Sequence, residues 1–395
     1  MTTHFAQRMD LVRPSAIREL LKYGSDPSII SFAGGYPDSS LFPIDELDQV
    51  FHSLLSGDGR VSLQYTLSNG SHRLREQVSE RMTKDGVSCG SEDVVILQGG
   101  QQGLDLVGKM FLDKGDAVVV EDPTFLGALI AFNPYEPTYA TVPVDRDGMI
   151  MEALEDVLRI RADVKFVYVV PDFQNPTGVT LSLERRKRLV ELANEFDIYI
   201  LEDSPYRELR YAGETLPPIK SFDTEGRVIY LGSFSKILAP GLRLGWAVAS
   251  PQLIEKLGLL KLAADTQCST LNMAAVSTYL EHHNIELHIQ RIRAEYKRRK
   301  EKMIEVIQQT LPRSVEYTNP EGGMFTWLSF PQGFDSARFM LDRLLPEAKV
   351  AYVPGESFFA GVKKTNYARM SFSTQSDEDM VRGVSALGEM LRTVL

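Results

Sequence analysis

Val228-Ile-Tyr-Leu-Gly-Ser-Phe-Ser-Lys-Ile-Leu-Ala-Pro-Gly-Leu-Arg243 decides how the rest of the chain is read. Its first five residues form an apolar run suited to a buried strand. Ser233 and Ser235 then closely precede Lys236, and Arg243 follows seven positions after the lysine. Ligands of open α/β sheets bind beyond the carboxyl ends of the strands. A lysine there can form a Schiff base with an aldehyde, while serines and an arginine can hold a phosphate. Alone, Ser-x-Ser-Lys is weak, because a lysine solvated at a strand end makes the same pattern.

The chain around this stretch supplies a fold. From about residue 93 to 250, short apolar runs alternate with amphipathic segments, as a βα architecture requires. Val94–Leu97, Ala117–Glu121, Phe166–Val170 and Ile198–Glu202 read as strands, and 101–111 as a helix. Residues 184–196 place Leu189, Ala193 and Phe196 on one helical face, with Ser182 as N-cap. Strands this continuously apolar predict a mainly parallel sheet, of seven-stranded type, covered on both faces. The ends differ: a short helix over 15–23, and a long charged helix after about 285. Strand-like segments follow at 324–330 and 369–373. Three regions are expected: 1–60 packing with a small domain, 61–285 as the large domain, and 286–395 as the small α/β domain.

Composition narrows the function. The 395 residues carry 43 basic and 53 acidic side chains, a net charge of −10. This argues against general nucleic-acid binding, which needs a basic footprint. The densest basic run, 291–302, reads as a solvated helix face. Cys89 and Cys268 are far apart, so neither a disulfide framework nor a zinc site is expected, in keeping with a reducing, cytoplasmic compartment. The six histidines include no His-Glu-x-x-His, so no metal is expected. No secretory signal and no apolar run long enough to span a membrane are read.

The polar residues at the strand ends fit one cofactor, pyridoxal 5'-phosphate (PLP), an aldehyde that carries a phosphate. Asp203 can keep a pyridine nitrogen protonated, and Tyr206 can donate to a ring hydroxylate. Asn175, in Asn175-Pro-Thr-Gly178, can donate to the same oxygen; it stands 28 residues before Asp203 and 61 before Lys236. Gly99-Gly-Gln-Gln-Gly103 makes a strand-to-helix turn whose free amides form an anion site. A dinucleotide fingerprint competes with this reading, but Gln98 stands where its first glycine is needed. That reading also leaves Lys236, Arg243 and Asn175 without a role.

Taken in order, these motifs resemble the fold type I PLP-dependent aminotransferases of class I/II, over nearly the whole chain. The likeness is nearest to the 2-aminoadipate, kynurenine and aromatic aminotransferase branch. It rests on Ser31-Phe-Ala-Gly-Gly35, Leu63-Gln-Tyr65, Gly99–Gly103, Phe173–Gly178, Glu202–Tyr206, Gly232–Lys236, Gly322-Gly-Met-Phe325 and Arg369–Ser373. The resemblance implies that Lys236 is the Schiff-base lysine and proton shuttle, and that Asp203 pairs with the pyridine nitrogen. It implies that Asn175 and Tyr206 hold the ring hydroxylate. Ser233, Ser235, Arg243 and the amides of Gly100 and Gln101 would take the phosphate. Arg369 would bind the substrate α-carboxylate near Gly35, and Tyr65 would reach the site of a neighbouring subunit in a homodimer. Arg18, in Ser15-Ala-Ile-Arg-Glu-Leu20, would meet a distal carboxylate.

Two departures stand out. Gly100 replaces a frequent serine, and Phe125 replaces the usual ring-stacking tyrosine; stacking needs only the ring face. The reaction implied is amino-group transfer from an L-amino acid, aromatic or 2-aminoadipate-like, to a 2-oxo acid such as 2-oxoglutarate. A lyase, decarboxylase or racemase on the same fold is the alternative. A transcriptional regulator built on this domain is disfavoured, since the first motif begins too early for a preceding winged helix.

Overall fold

The computed structural model describes residues 4–12, 26–57 and 59–395. The helix expected over 15–23, and Arg18 with it, lies outside the described residues. The large sheet has eight strands: β1 Val94–Leu97, β2 Ala117–Asp122, β3 Thr138–Asp145, β4 Gly148–Met149, β5 Val164–Val169, β6 Tyr199–Asp203, β7 Val228–Ser233 and β8 Gly245–Val248. Their order across the sheet is β1-β8-β7-β6-β5-β2-β3-β4. Pairings from β7 through β3 are parallel, whereas β8 runs antiparallel to both neighbours and β4 folds back on β3. The mainly parallel sheet is therefore present, with one more strand than expected. That extra strand is only a two-residue hairpin return, too short to leave a periodic pattern.

The apolar strands are buried on both faces, as their composition requires. Val118, Val120, Phe166 and Leu231 pack on one face. Val119, Val167 and Ile200 meet Leu189 and Ala193 on the other. Ser182 caps its helix by accepting from the Arg185 amide. β3 and β8 were not read from the sequence. β3 contains Pro143 and alternates in exposure near the sheet margin, while β8 is four residues long and opens on glycine.

A second core joins the chain ends. Ile30–Ser31 pairs in parallel with Val350–Ala351. Phe32 is fully buried with Met303, Leu328, Tyr352, Met370 and Leu387. Above this core lies a four-stranded antiparallel sheet of β9 Glu316–Tyr317, β10 Phe325–Ser329, β11 Val353–Pro354 and β12 Tyr367–Ser371, ordered β9-β10-β12-β11. The long helix Ile285–Thr310 packs against the helix Asp377–Leu391. Its basic run is not simply a solvated face: Arg298 pairs with Asp377, and Arg299 with Asp38. No helix among the described residues is long and apolar enough to cross a membrane.

Candidate active site

A cavity of about 450 Å³ opens beyond the carboxyl ends of β5, β6 and β7, against β10 and β12. It brings together Lys236, Asp203, Tyr206, Asn175, Ser233, Ser235, Arg243, Arg369, Gly35, Gly100, Gln101 and Phe125. These positions lie far apart in the chain; βα winding puts the strand ends near Asn175, Asp203 and Ser233 on one edge, and β12 of the second sheet brings Arg369 to it. A larger cavity, about 820 Å³, lies between Asp122, Arg210, Trp327 and Lys364 and contains none of these groups. The smaller one gathers residues that the sequence singled out.

Asp203 is the last residue of β6, and burial pushes its carboxyl up to about 6. The Tyr168 hydroxyl donates to Asp203 Oδ2 at 2.9 Å and opposes that shift. Tyr168 sits opposite Leu201 on the neighbouring strand, so its side chain reaches the next residue on the same face, Asp203. The sequence marks Tyr168 only as part of the strand Phe166–Val170. A tyrosine inside an apolar run carries no signal that its hydroxyl has a partner.

Lys236 follows β7 by three residues, and its Nζ donates to the carbonyl of Gly35 at 2.9 Å. Burial pulls its pKa down to about 8, and the charges of Arg369 and Arg243 act in the same direction. Arg369, on β12, donates to Asn175 Oδ1 at 2.8 Å and to the Ala33 carbonyl at 2.7 Å. Its guanidinium carbon lies 4.3 Å from the centre of the Phe325 ring and 5.2 Å from that of Phe358. Burial brings its pKa down to about 10, which leaves it charged at neutral pH. Its Nε is buried and has no partner. Asn175 Nδ2 donates onward to the Tyr206 hydroxyl at 3.4 Å, and burial pushes that phenol up to about 12.

Another wall offers free amides, hydroxyls and a guanidinium, donors suited to an anion. Gly99 has φ +76°, which turns β1 into the helix Gly100–Phe111. The first-turn amides, those of Gly100 and Gln101 among them, have no acceptor within the helix. Arg243 donates to the Gln98 carbonyl at 3.1 Å, and a Cβ on Gly99 would stand 2.8 Å from its guanidinium. Ser233 Oγ accepts from the Ser235 amide at 3.1 Å. Gln101 reaches the Gly127 carbonyl, and a Cβ on Gly127 would strike the Phe125 ring at 2.4 Å.

Tyr65 is the exception. It is 81% exposed and lies beside a separate groove with Arg60, Gln64 and Thr270. This chain's own cavity does not contain it.

The donor set fits PLP. A planar ring with a phosphate would find free first-turn amides and a guanidinium for the phosphate, and the buried Asp203 carboxylate for the ring nitrogen. A desolvated amine, an aromatic wall and two ring-oxygen partners complete the set. The unpartnered Arg369 Nε adds a donor for a carboxylate. Among the described residues, no group of three or more His, Cys, Asp or Glu is placed to hold a metal ion.

Comparison with known proteins bears on the same reading. The family "Aminotransferase class I and II" matches residues 33–387. Over 394 residues the chain is 41% identical to aromatic-amino-acid aminotransferase 1 of Thermococcus litoralis, covering 98% of this chain and 94% of that protein. The solved kynurenine aminotransferase of Pyrococcus horikoshii superposes with a TM-score of 0.94 at 42% identity, covering 99% of this chain and 98% of the other. The α-aminoadipate aminotransferase of Thermus thermophilus, complexed with N-(5'-phosphopyridoxyl)-L-leucine, does so with a TM-score of 0.91 at 38% identity, covering 98% and 97%. With Lys236 and Asp203 facing one cavity and the family matched over most of its length, the chain belongs to the class I and II aminotransferases, enzymes that transfer amino groups on PLP.

Proposed function

We propose that this protein moves the amino group of an aromatic or 2-aminoadipate-like L-amino acid to a 2-oxo acid such as 2-oxoglutarate. We read it as a cytoplasmic homodimer in which 61–285 carry the cofactor and 1–60 pack with 286–395. The observation that carries the site assignment is the buried chain Arg369–Asn175–Tyr206 running beside Lys236. The names of the relatives support the donor class, as does an apolar wall of Leu126, Ile130, Tyr36 and Phe325 between the charged groups.

PLP supplies an aldehyde and an electron-withdrawing ring that stabilises negative charge at the substrate α-carbon. Lys236 Nζ is the covalent anchor; with its pKa near 8, it is neutral often enough to act as a base and carry the α-proton. Asp203 Oδ1 is the oxygen free to hold a proton on the ring nitrogen, because Tyr168 occupies Oδ2. Tyr206 stays protonated and, with Asn175, would donate to the ring oxygen. Arg369 takes the α-carboxylate with its planar fork, oriented by Asn175 and the Ala33 carbonyl. Ser233, Ser235, Arg243 and the amides of Gly100 and Gln101 would hold the phosphate.

Among the described residues, the cations lining the cavity are Lys236, Arg243 and Arg369, and each has a role. A distal carboxylate would be met by Arg18, as the resemblance to the 2-aminoadipate branch implies. A panel of amino acids against 2-oxoglutarate tests the donor class, with 2-oxo acid formation as readout. Aromatic and 2-aminoadipate donors should lead it; a lead for alanine or aspartate would overturn the assignment. Arg18→Ala should raise KM for dicarboxylic substrates about tenfold or more, the worth of a charged hydrogen bond of ~1.5–3 kcal/mol, and leave aromatic ones nearly unchanged.

A further inference from the structure

Lys261 lies on the helix Pro251–Asp265 and is completely buried, outside the cavity just described. Its Nζ donates to Asp265 Oδ1 at 2.8 Å, to Asp265 Oδ2 at 3.0 Å and to Gln102 Oε1 at 3.1 Å. Gln102 closes the ring, with Nε2 donating to Asp265 Oδ2 at 2.7 Å. The same Gln102 Oε1 accepts the backbone amide of Gln98 at 2.8 Å. One cluster, built on the buried Lys261 with half-buried Asp265 and Gln102, thus spans the Gln98–Gln102 turn from beneath, while Gln98 offers its carbonyl to Arg243 above.

The cluster continues through the backbone. Thr266, next after Asp265, has φ +63°, a conformation unfavourable for a β-branched residue. Such a residue persists only where its surroundings hold it from both sides. Asp265 is held as described, and on the other side Gln267 Oε1 accepts the Thr66 amide at 2.6 Å. Gln267 Nε2 donates to Thr270 Oγ1, which donates to the Gln64 carbonyl, both at 2.8 Å. Both neighbours of Tyr65 are therefore gripped by the segment that braces the turn.

Stability alone gives no reason to bury Lys261, since apolar side chains commonly replace buried ionic groups at no loss. Position does. We propose that Lys261, Asp265 and Gln102 are positioning residues that fix the anion-binding turn, coupled through Gln267 to the segment carrying Tyr65. The inference rests on the reading that the turn holds the cofactor phosphate.

The test compares PLP with pyridoxal, which lacks the phosphate, as ligands of the apoprotein. Affinity is followed by absorbance in the wild type, Lys261→Met, Gln102→Leu and Gln267→Ala. Wild type should prefer PLP strongly. Lys261→Met and Gln102→Leu should each weaken PLP tenfold or more while changing pyridoxal less than twofold. Gln267→Ala, which leaves the ion pair intact, should show a smaller loss confined to PLP. If Lys261→Met fails to fold, Gln102→Leu decides alone, because it spares the Lys261–Asp265 pair. Unchanged preference in the variants, or equal loss for both ligands, overturns the proposal. A wild type without preference for PLP overturns the phosphate reading itself.

Discussion

Lys236 shows how one residue's chemistry is set by its surroundings. Its amine is desolvated beside two guanidinium groups, so its pKa sits near 8 rather than the ordinary 10.5. The neutral amine is the reactive form, and its fraction grows as pH rises to about 8 and then levels. PLP uptake by the apoprotein should therefore quicken about tenfold per pH unit below 8 and reach a plateau above it. Stopped-flow absorbance reads this; a rise continuing towards pH 10 would mean the amine is solvated. Lys236→Ala should lower turnover by ~10³-fold or more, since base and anchor vanish together, while borohydride no longer fixes the cofactor to that peptide. Tyr168 shows the same principle through a neighbour. Tyr168→Phe removes the donor that opposes burial at Asp203, so that carboxyl should titrate higher still. The pH range in which the variant binds PLP tightly should then shift upward, a change that loss of packing alone would not produce.

At the scale of elements, the turn from β1 into the helix Gly100–Phe111 separates two adjacent glycines. Gly99 has φ +76° and faces the Arg243 guanidinium, so Gly99→Ser strains the backbone and displaces the anion ligand. Gly100 has no such need: a Cβ there would meet only Asp203 Oδ1, at 3.9 Å. Gly100→Ser should fold normally and bind PLP as well as or up to about tenfold more tightly, the added hydroxyl supplying a charge-assisted hydrogen bond. Gly99→Ser should lose most affinity; equilibrium dialysis separates the two. The loop carrying Asn175 depends on another buried group. Arg186 donates to Asp172 at 2.7 Å and to the carbonyls of Pro171, Leu181 and Pro217, with both charges buried. Arg186→Met should destabilise by about 3–5 kcal/mol, because Asp172 loses its principal partner in a dry site. Urea denaturation measures that loss.

For the whole molecule, Val61, Leu63, Tyr65 and Leu67 are all more than 60% exposed, an apolar strip that a second copy of the chain would cover. Mixing inactive Tyr65→Ala and Lys236→Ala variants should restore part of the activity through hybrid dimers. Full activity in a monomer at low concentration would overturn shared sites. The sequence by itself determined the βα alternation, the cofactor class and most cavity residues. Strand composition and the glycine, serine and lysine turns are local, so spacing along the chain carries them. It did not reveal β3 or β8, the Tyr168–Asp203 bond, the aromatic rings against Arg369, or the Lys261 brace. Each of these depends on which strands become neighbours and which residues meet across a core. Only the tertiary structure decided them, because long-range packing brings together residues such as Phe32 and Leu387, or Gln102 and Lys261, that share no local pattern.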